Sequence, residues 1–247
     1  MNTTTSETSA TVFKAIKILN FLSEASGPQS VITISKQLNL SNAVVHRNLT
    51  TLKIEGLVFQ DPQSKLYSLG MKILEYANRI LTDLPFAAVI EPWLLKLRNL
   101  TGETVGFYVQ EGNTRVCALE YVSRQEIKRA VGVGKRLPLH IGASGRAILA
   151  FQDEDIQHKI LIGLDSEQKK EVIKKLAITK DNGYAMNEEE ITPEVGALSA
   201  PVYGSNNNII GALSISGPMF RWNKKSMQTF IPALLNATDE IKKTLES

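Results

Sequence analysis

One short segment, residues 41–56, carries polar and basic side chains at a spacing that suits contact with DNA. If the segment is helical, Asn42, His46 and Arg47 lie near its start and on its outer side. A guanidinium group can donate two hydrogen bonds to a guanine edge or contact a phosphate, and amide and imidazole groups can add to either contact. The alternative is a solvated polar helix face without a ligand. Residues 41–56 are therefore the first candidate site, with Arg47 as its main contact.

The spacing of apolar residues supports a helix over this segment, with one side that packs and one that is polar and basic. A shorter helix is predicted over residues 33–40, with Thr33 at its N-cap and Ile34 and Leu38 facing inward. Two short helices joined by a tight turn indicate a helix-turn-helix. The packing side comprises Val45, Asn48, Leu49 and Leu52, and the outer side comprises Ala43, Arg47, Thr50 and Thr51.

The flanking segments complete this unit. Residues 12–25 have the apolar spacing of an amphipathic helix, and residues 57–69 read as a hairpin with a polar tip at residues 61–64. Three helices followed by a hairpin are the elements of a winged helix-turn-helix. The residues expected to lie near the DNA backbone are Lys14, Thr33 and Lys65.

A second candidate site lies at residues 142–145, Gly-Ala-Ser-Gly, which precede a short helix predicted over residues 146–151. Free backbone N–H groups at a helix start, with glycine on either side and the Ser144 hydroxyl beside them, favour an anion such as a carboxylate. The alternative is that the two glycines serve only a tight turn. The residues by themselves leave both interpretations open.

The remaining elements indicate an α+β domain over residues 85–247, preceded by a helix over residues 71–84. That helix has an apolar stripe, which either packs on its own domain or pairs with a second copy of the chain, and a hinge is expected at Pro85. Further helices are predicted over residues 87–100, 154–162, 166–179 and 224–245, the last capped by Asn223. Strands of an antiparallel sheet are predicted over residues 104–109, 116–122, 127–131, 135–140, 184–187, 197–203 and 209–216.

Composition is that of a soluble globular protein, with 43% hydrophobic and 21% charged residues. No apolar run approaches the roughly 20 residues that span a bilayer, and the start of the sequence lacks the pattern of a signal peptide, so a cytoplasmic location is expected. The single cysteine, Cys117, excludes an internal disulfide framework. A net charge of +3 does not by itself indicate nucleic-acid binding, so two or more copies are expected to act together.

Motifs of three enzyme classes are incomplete. Arg146 stands where a Gly-x-Ser-x-Gly nucleophile elbow needs its second glycine, and residues 132–136 lack the spacing and the hydroxyl residue of a P-loop. Each of the histidines, His46, His140 and His158, lacks a partner at metal-ligand spacing. No enzyme, metal or cofactor is therefore expected. The alternatives are a hydrolase that uses Ser144, and a winged-helix protein that binds a protein partner instead of DNA.

Other polar and aromatic residues have structural interpretations. The acidic run at residues 188–190 is predicted to be a solvated loop, and His140 a hydrogen-bonding residue at a strand end. Core or pocket-wall positions are predicted for Trp93, Phe107, Tyr108 and Trp222.

Seven short motifs follow one another along nearly the whole chain. They are Val45-His46-Arg47 with Leu49 and Leu52, Tyr67-Ser68-Leu69-Gly70, Leu100-Thr101-Gly102-Glu103-Thr104, Gly132-Val133-Gly134-Lys135-Arg136-Leu137-Pro138-Leu139-His140, Ser144-Gly145-Arg146-Ala147-Ile148-Leu149-Ala150, Gly183-Tyr184, and Leu213-Ser214-Ile215-Ser216-Gly217-Pro218. In this order the motifs resemble those of the IclR-type bacterial transcription regulators.

The resemblance implies a winged helix-turn-helix domain over residues 9–70, a linker and dimerisation helix over residues 71–84, and a GAF-like effector domain over residues 85–247. It also implies homodimers or homotetramers on double-stranded operator DNA and control by a small organic acid. Repression of a catabolic operon is the expected role, with activation as the alternative. The effector pocket of the family corresponds here to Ala143, Ser144, Asn187, Ala197, Ser214 and Ser216.

Two departures from the family pattern bear on specificity. Ala43 and Val44 occupy DNA-facing positions where members often carry hydroxyl residues, so two contacts at the start of the recognition helix are missing. Asn187 and Ala197 replace more reactive or charged groups, which predicts a roomier pocket for a larger or partly aromatic acid.

Overall fold

The computed structural model of the chain describes residues 8–82 and 86–247. The chain separates into two compact units, Met1–Leu84 and Pro85–Ser247. The hinge predicted at Pro85, like the end of the helix predicted over residues 71–84, lies outside the described residues. No helix in the described ranges is long and apolar enough to cross a membrane.

The first unit contains the predicted order of three helices and a hairpin. Its helices are α1 (Ala10–Glu24), α2 (Val31–Leu38) and α3 (Asn42–Ile54), and its strands are β1 (Val58–Gln60) and β2 (Tyr67–Leu69). The two strands pair antiparallel, with Val58 opposite Leu69 and Gln60 opposite Tyr67. α4 (Lys72–Thr82) follows. This arrangement is a winged helix-turn-helix.

One apolar core holds the three helices and the hairpin together. Ile18 of α1, Ile34 of α2 and Leu49 of α3 are fully buried in it, and Tyr67 of β2 closes it from the wing side. Because each element contributes to this cluster, the position of α3 depends on all the others.

The start of α2 differs from the prediction. Ser30, not Thr33, is the N-cap, since its side chain accepts a hydrogen bond from the Thr33 N–H at 3.1 Å and the helix begins at Val31. Thr33 lies inside the first turn, where its hydroxyl shares a hydrogen bond with that of Ser30 at 2.9 Å. Both residue types cap helices well, so local chemistry left the choice between them open.

The second unit is built on a six-stranded antiparallel sheet with helices on both faces. The strand order is β5-β4-β3-β8-β7-β6. The strands are β3 (Thr104–Glu111), β4 (Thr114–Tyr121), β5 (Arg136–Pro138), β6 (Ala185–Glu188), β7 (Val195–Tyr203) and β8 (Ile209–Pro218). The helices are α5 (Ala87–Thr101), α6 (Ala143–Leu149), α7 (Glu154–Leu161), α8 (Ser166–Asn182) and α9 (Lys224–Glu246).

Two adjacent residues of β7 show how the faces divide. Gly196 lies against Met227 of α9, so close that a Cβ on the glycine would be 3.3 Å from the methionine Cε. Ala197 points the other way and packs in the cluster formed with α6, α7 and α8. α9 and α6 therefore cover opposite faces of the sheet, and the α+β class agrees with the prediction.

The sequence-based prediction of a strand over residues 127–131 is wrong. Residues 122–135 form an irregular connection, and the Glu120 carboxylate accepts hydrogen bonds from the N–H groups of Val131 and Gly132 at 2.8 and 3.0 Å. The chain turns at Gly132 and Gly134, which have φ values of 93° and 84°. β4 therefore pairs on its outer side with the three residues of β5, and Cys117 also exchanges backbone hydrogen bonds with Gly134 and Lys135.

Candidate functional site

The outer side of α3 is free of packing contacts. Asn42, Ala43, His46 and Arg47 are exposed and Val44 is half-buried. The residues predicted to pack, Val45, Asn48, Leu49 and Leu52, are all buried. The two sides of α3 are thus the ones that its periodicity predicts.

Internal hydrogen bonds decide which polar groups of α3 face solvent. Asn48 donates its side-chain N–H to the Val44 carbonyl at 2.8 Å. The Thr50 and Thr51 hydroxyls donate to the carbonyls of His46 and Arg47, at 2.9 and 3.2 Å. Since the Thr50 and Thr51 hydroxyl protons are engaged in the helix, the amide of Asn42, the imidazole of His46 and the guanidinium of Arg47 are the main donors left for a ligand.

The wing is tied to α3 by a chain of two hydrogen bonds. Lys53 Nζ of α3 donates to Gln60 Oε1 at 3.0 Å, and Gln60 Nε2 donates to the Lys65 carbonyl at 3.2 Å. At the tip, the Asp61 carboxylate accepts the Ser64 N–H at 2.6 Å, and this bond is the main cause that lowers the pKa of Asp61. Lys65 has a φ of 60° and is exposed. Lys65 is therefore an exposed residue of a wing that these two bonds hold to the recognition helix.

The other two residues predicted to lie near DNA phosphates are less exposed than Lys65. Lys14 and Thr33 are half-buried, and the Thr33 hydroxyl forms a hydrogen bond with that of Ser30.

Residues 9–70 contain six Lys or Arg and three Asp or Glu, so the net positive charge of the chain is concentrated in this short unit. Such a bias favours contact with a polyanion.

A cavity in the second unit is lined by all six residues predicted for the effector pocket. The sheet register explains how they meet, because Asn187 lies opposite Ala197, and Ala197 lies opposite Ser216. α6 contributes Ala143 and Ser144, β6 contributes Asn187, β7 contributes Ala197, and β8 contributes Ser214 and Ser216. The structure thus brings one predicted site together from residues more than seventy positions apart.

The cavity is small. Its volume is about 40 Å³, whereas a cavity known to hold benzene measures about 150 Å³. The cavity is therefore smaller than the roomy pocket that the sequence predicts, and the larger or partly aromatic acid stays a prediction.

The start of α6, for which the sequence left an anion site and a tight turn both open, has one N–H group that is already bonded. The helix begins at Ala143, three residues before the predicted start, and has only seven residues. Its first N–H, that of Ala143, already donates to Asn187 Oδ1 at 3.1 Å. Gly142 is a turn glycine with a φ of 77°, whereas Gly145 lies inside the helix, where a Cβ would be 2.7 Å from Arg115 Nη1. The glycines therefore serve backbone geometry and close packing.

Arg115 of β4 is a functional candidate that the sequence analysis missed. Its side chain lines the cavity and is 1% exposed. Nε donates to Ser144 Oγ at 2.7 Å, and Nη1 donates to the carbonyls of Ile141, at 2.9 Å, and Pro138. Burial lowers the pKa of Arg115 to about 10, so the group stays protonated at neutral pH. A buried positive charge therefore lies at the cavity wall.

One sequence signal could have identified this residue. β4 has apolar residues at neighbouring positions, Val116, Cys117, Ala118 and Leu119, and so lacks the polar side of a half-buried strand. A charged residue within such a strand is buried, and a buried charge is costly unless hydrogen bonds or an opposite charge compensate for its lost hydration.

The acidic run at residues 188–190 is not simply the solvated loop that was predicted. Glu190 forms an ion pair with Arg146 of α6, and Lys175 of α8 lies 3.4 Å from the same carboxylate. Burial by itself raises the pKa of Glu190, but the hydrogen bond and charge of Arg146, with the charge of Lys175, outweigh it and lower the pKa overall. Glu190 is thus a structural anion beside the cavity.

The environment of Ser144 does not activate it as a nucleophile. Its hydroxyl oxygen accepts a hydrogen bond from the Arg115 guanidinium, which is a cation and not a base. His140, the histidine nearest in sequence, is half-buried, and burial together with the Arg115 charge lowers its pKa. Ser144 is therefore suited to binding a ligand oxygen.

Comparison with known proteins gives the same assignment for both units. The IclR helix-turn-helix domain matches residues 11–62, and the bacterial transcriptional regulator IclR C-terminal domain matches residues 78–243, well over half of the chain. The chain belongs to the IclR family. Members of the IclR family are transcriptional regulators and not enzymes, so the hydrolase alternative is set aside.

Three relatives show how far the likeness to IclR regulators extends. The HTH-type transcriptional regulator XynR of Escherichia coli strain K12 is 28% identical over 238 residues, which are 92% of this chain and 93% of XynR. The HTH-type transcriptional repressor AllR of the same strain is 26% identical over 84% of this chain and 80% of AllR. An IclR homolog from Microbacterium hydrocarbonoxydans, solved in complex with 4-hydroxybenzoate, has the same fold, with a TM-score of 0.79, 19% identity and coverage of 96% and 99%.

Proposed function

We propose that this IclR-family regulator represses a catabolic operon and is released from its operator by a small organic acid. The observation that carries the proposal is the exposed side of α3, where Arg47 and His46 lie beside a wing that presents Lys65. Residues 9–70 would bind DNA, residues 71–84 would link and dimerise, and residues 85–247 would bind the effector. AllR, a relative by sequence, is itself named a repressor.

The proposal includes a homodimer or homotetramer in the cytoplasm that holds two DNA-binding units together through α4. Leu74, Ala77 and Ile80 lie on the apolar stripe of this helix and are exposed, Leu74 by 59% and Ile80 by 64%. Large apolar side chains at this spacing are costly to leave in water and suit a second amphipathic helix. This exposure favours pairing with a second copy over packing on the same domain.

The effector is assigned to the cavity that Ala143, Ser144, Asn187, Ala197, Ser214 and Ser216 line. Arg115 supplies a buried positive charge there, and the serine hydroxyls supply donors, which together suit a carboxylate. The effector shifts the equilibrium only if it binds the DNA-free form more tightly than the DNA-bound form. Such binding would move α6, which carries Ser144 and forms part of the cavity wall, together with the loop that leads into it.

Binding to DNA from upstream of the protein's own gene tests the proposal. Fluorescence anisotropy over a range of salt concentrations should show an affinity that falls linearly on a double-logarithmic plot, because phosphate contacts release counterions. Addition of a small organic acid that raises the melting temperature should weaken binding to the operator. Light scattering should give the mass of two or four chains.

Two results would contradict the proposal. Affinity that does not depend on salt, with no preference for upstream DNA, would favour a winged helix that binds protein. An acid that strengthens operator binding would leave the DNA-binding role in place but reverse the assigned direction of control.

A further inference from the structure

The cavity contains two guanidinium groups and no carboxylate. Arg115 and Arg129 both line it, and its other lining residues carry apolar, hydroxyl or amide side chains. Arg115 is buried and Arg129 is half-buried, and no acidic side chain among the lining residues neutralises their charges. A ligand with negative charge would neutralise them.

Arg115 still has an unused donor. Its Nε and Nη1 are engaged by Ser144 and by two backbone carbonyls, but Nη2 makes no hydrogen bond with the described residues. No described carboxylate forms an ion pair with Arg115. Glu190, whose charge acts on Arg115, is already held by Arg146 and Lys175. One guanidinium nitrogen therefore remains for an oxyanion.

Arg129 is brought to the cavity by the irregular segment of residues 122–135. The hydrogen bonds that hold that segment include those from the Val131 and Gly132 N–H groups to the Glu120 carboxylate, and one from Arg221 Nη2 to the Ile127 carbonyl at 2.7 Å. Arg129 itself donates only to the neighbouring Ala130 carbonyl, at 3.0 Å, and forms no ion pair with a described residue. Its charge is therefore available at the cavity, on a different element from Arg115.

We propose that the effector is a compact dicarboxylate, with one carboxylate bound by Arg115 and Ser144 and the other by Arg129. The assignment rests on the proposed effector role of the cavity and narrows its ligand class. The small volume of the cavity, about 40 Å³, favours the shortest dicarboxylates. Val131 and Leu137, which also line the cavity, would contact those carbons.

Acids matched in chain length test the proposal directly. Oxalate, malonate and succinate are compared with acetate, propionate and butyrate on the full-length protein at neutral pH, by calorimetry and thermal shift. At least one dicarboxylate should bind about tenfold more tightly than the monocarboxylate of equal length, the factor expected of one added charge-assisted contact. Equal affinities within every pair would overturn the proposal but leave a monoanionic effector, and thus the proposed function, intact.

Arginine variants locate the second carboxylate. Arg129→Gln should bring the dicarboxylate affinity down to that of the matched monocarboxylate, and its melting temperature without ligand should not change because Arg129 is only half-buried. Arg124→Gln removes the same charge from an exposed position of the same segment and should preserve the tenfold preference. If Arg129→Gln keeps the preference, or if no dicarboxylate of the set binds the wild type, the proposal is wrong. Operator binding by the ligand-free protein, which tests the proposed function, does not depend on either result.

Discussion

Arg146 of α6 and Glu190 form an ion pair that is almost fully removed from solvent, with 4% and 19% of the respective side chains exposed. Arg146 also donates to the Met186 carbonyl at 2.8 Å. The pair joins α6 to the segment after β6, and the next two residues of that segment, Ile191 and Thr192, line the cavity. A contact outside the cavity thus positions one of its walls.

Replacement of Glu190 should change how stability depends on pH. The pKa of Glu190 is lower in the folded protein than its ordinary value near 4.5, so its contribution is present above that value and is lost as the pH falls through the folded pKa. Glu190→Gln should lower the free energy of unfolding by about 1–3 kcal/mol at neutral pH. Denaturant melts should also show a shallower loss of stability between about pH 5 and pH 3.

The exposed Glu171 offers a matched control for that experiment. It contacts the same Lys175, at 3.5 Å, but its side chain is 57% exposed. Glu171→Gln should change the free energy of unfolding by less than about 0.5 kcal/mol at any pH. A loss in Glu171→Gln as large as in Glu190→Gln would show that burial of the Arg146 pair is not the cause.

Arg47→Ala should weaken operator binding by about 1–3 kcal/mol, the free energy of one good base contact. Because Arg47 is exposed and makes no packing contribution, the melting temperature should stay the same. Gel-shift titrations would measure the affinity, with Lys180→Ala as a control that removes one charge from α8 of the second unit. An unchanged affinity in Arg47→Ala would refute the assignment of α3 as the recognition helix.

Lys65→Gly separates charge from backbone strain in the wing. Glycine tolerates the φ of 60° at this position, so stability should stay within about 1 kcal/mol of wild type. The loss of one phosphate contact should reduce the salt slope of DNA binding by about 1. Lys65→Ala loses the same charge but, like the wild type, keeps a Cβ at positive φ. It should therefore show the same salt slope as Lys65→Gly and a lower stability than Lys65→Gly. An unaltered slope in both variants would mean that the wing does not touch the DNA backbone.

Cys117 should be inert in the folded protein. The residue is fully buried, and burial raises the pKa of its thiol to about 12. Iodoacetamide at about pH 8.5, the ordinary pKa of a free thiol, should leave the native protein unmodified and label it completely in concentrated guanidinium chloride. Mass spectrometry would count the adducts, and rapid native labelling would show that β4 opens.

Local patterns determined the first unit well. The two sides of α3, the order of α1 to β2 and the turn at Asp61 all follow from contacts between residues a few positions apart, which apolar spacing and turn chemistry report directly. Thr33 was wrongly predicted as the N-cap of α2, where Ser30 is the cap, because both residue types cap helices well and local chemistry does not distinguish them.

The sequence by itself determined the family, the strand-and-helix composition of the second unit and six residues that meet at one cavity. Only the tertiary structure decided the charge of that cavity. Arg115 reaches Ser144 across 29 residues, and Asn187 reaches Ala143, as Glu190 reaches Arg146, across 44. No periodicity reports such pairs, because each depends on where the strands and α6 come together in three dimensions. For the same reason the sequence does not show that the Ala143 N–H group at the start of α6 is bonded to Asn187, or that the buried Arg115 carries the positive charge of the cavity wall.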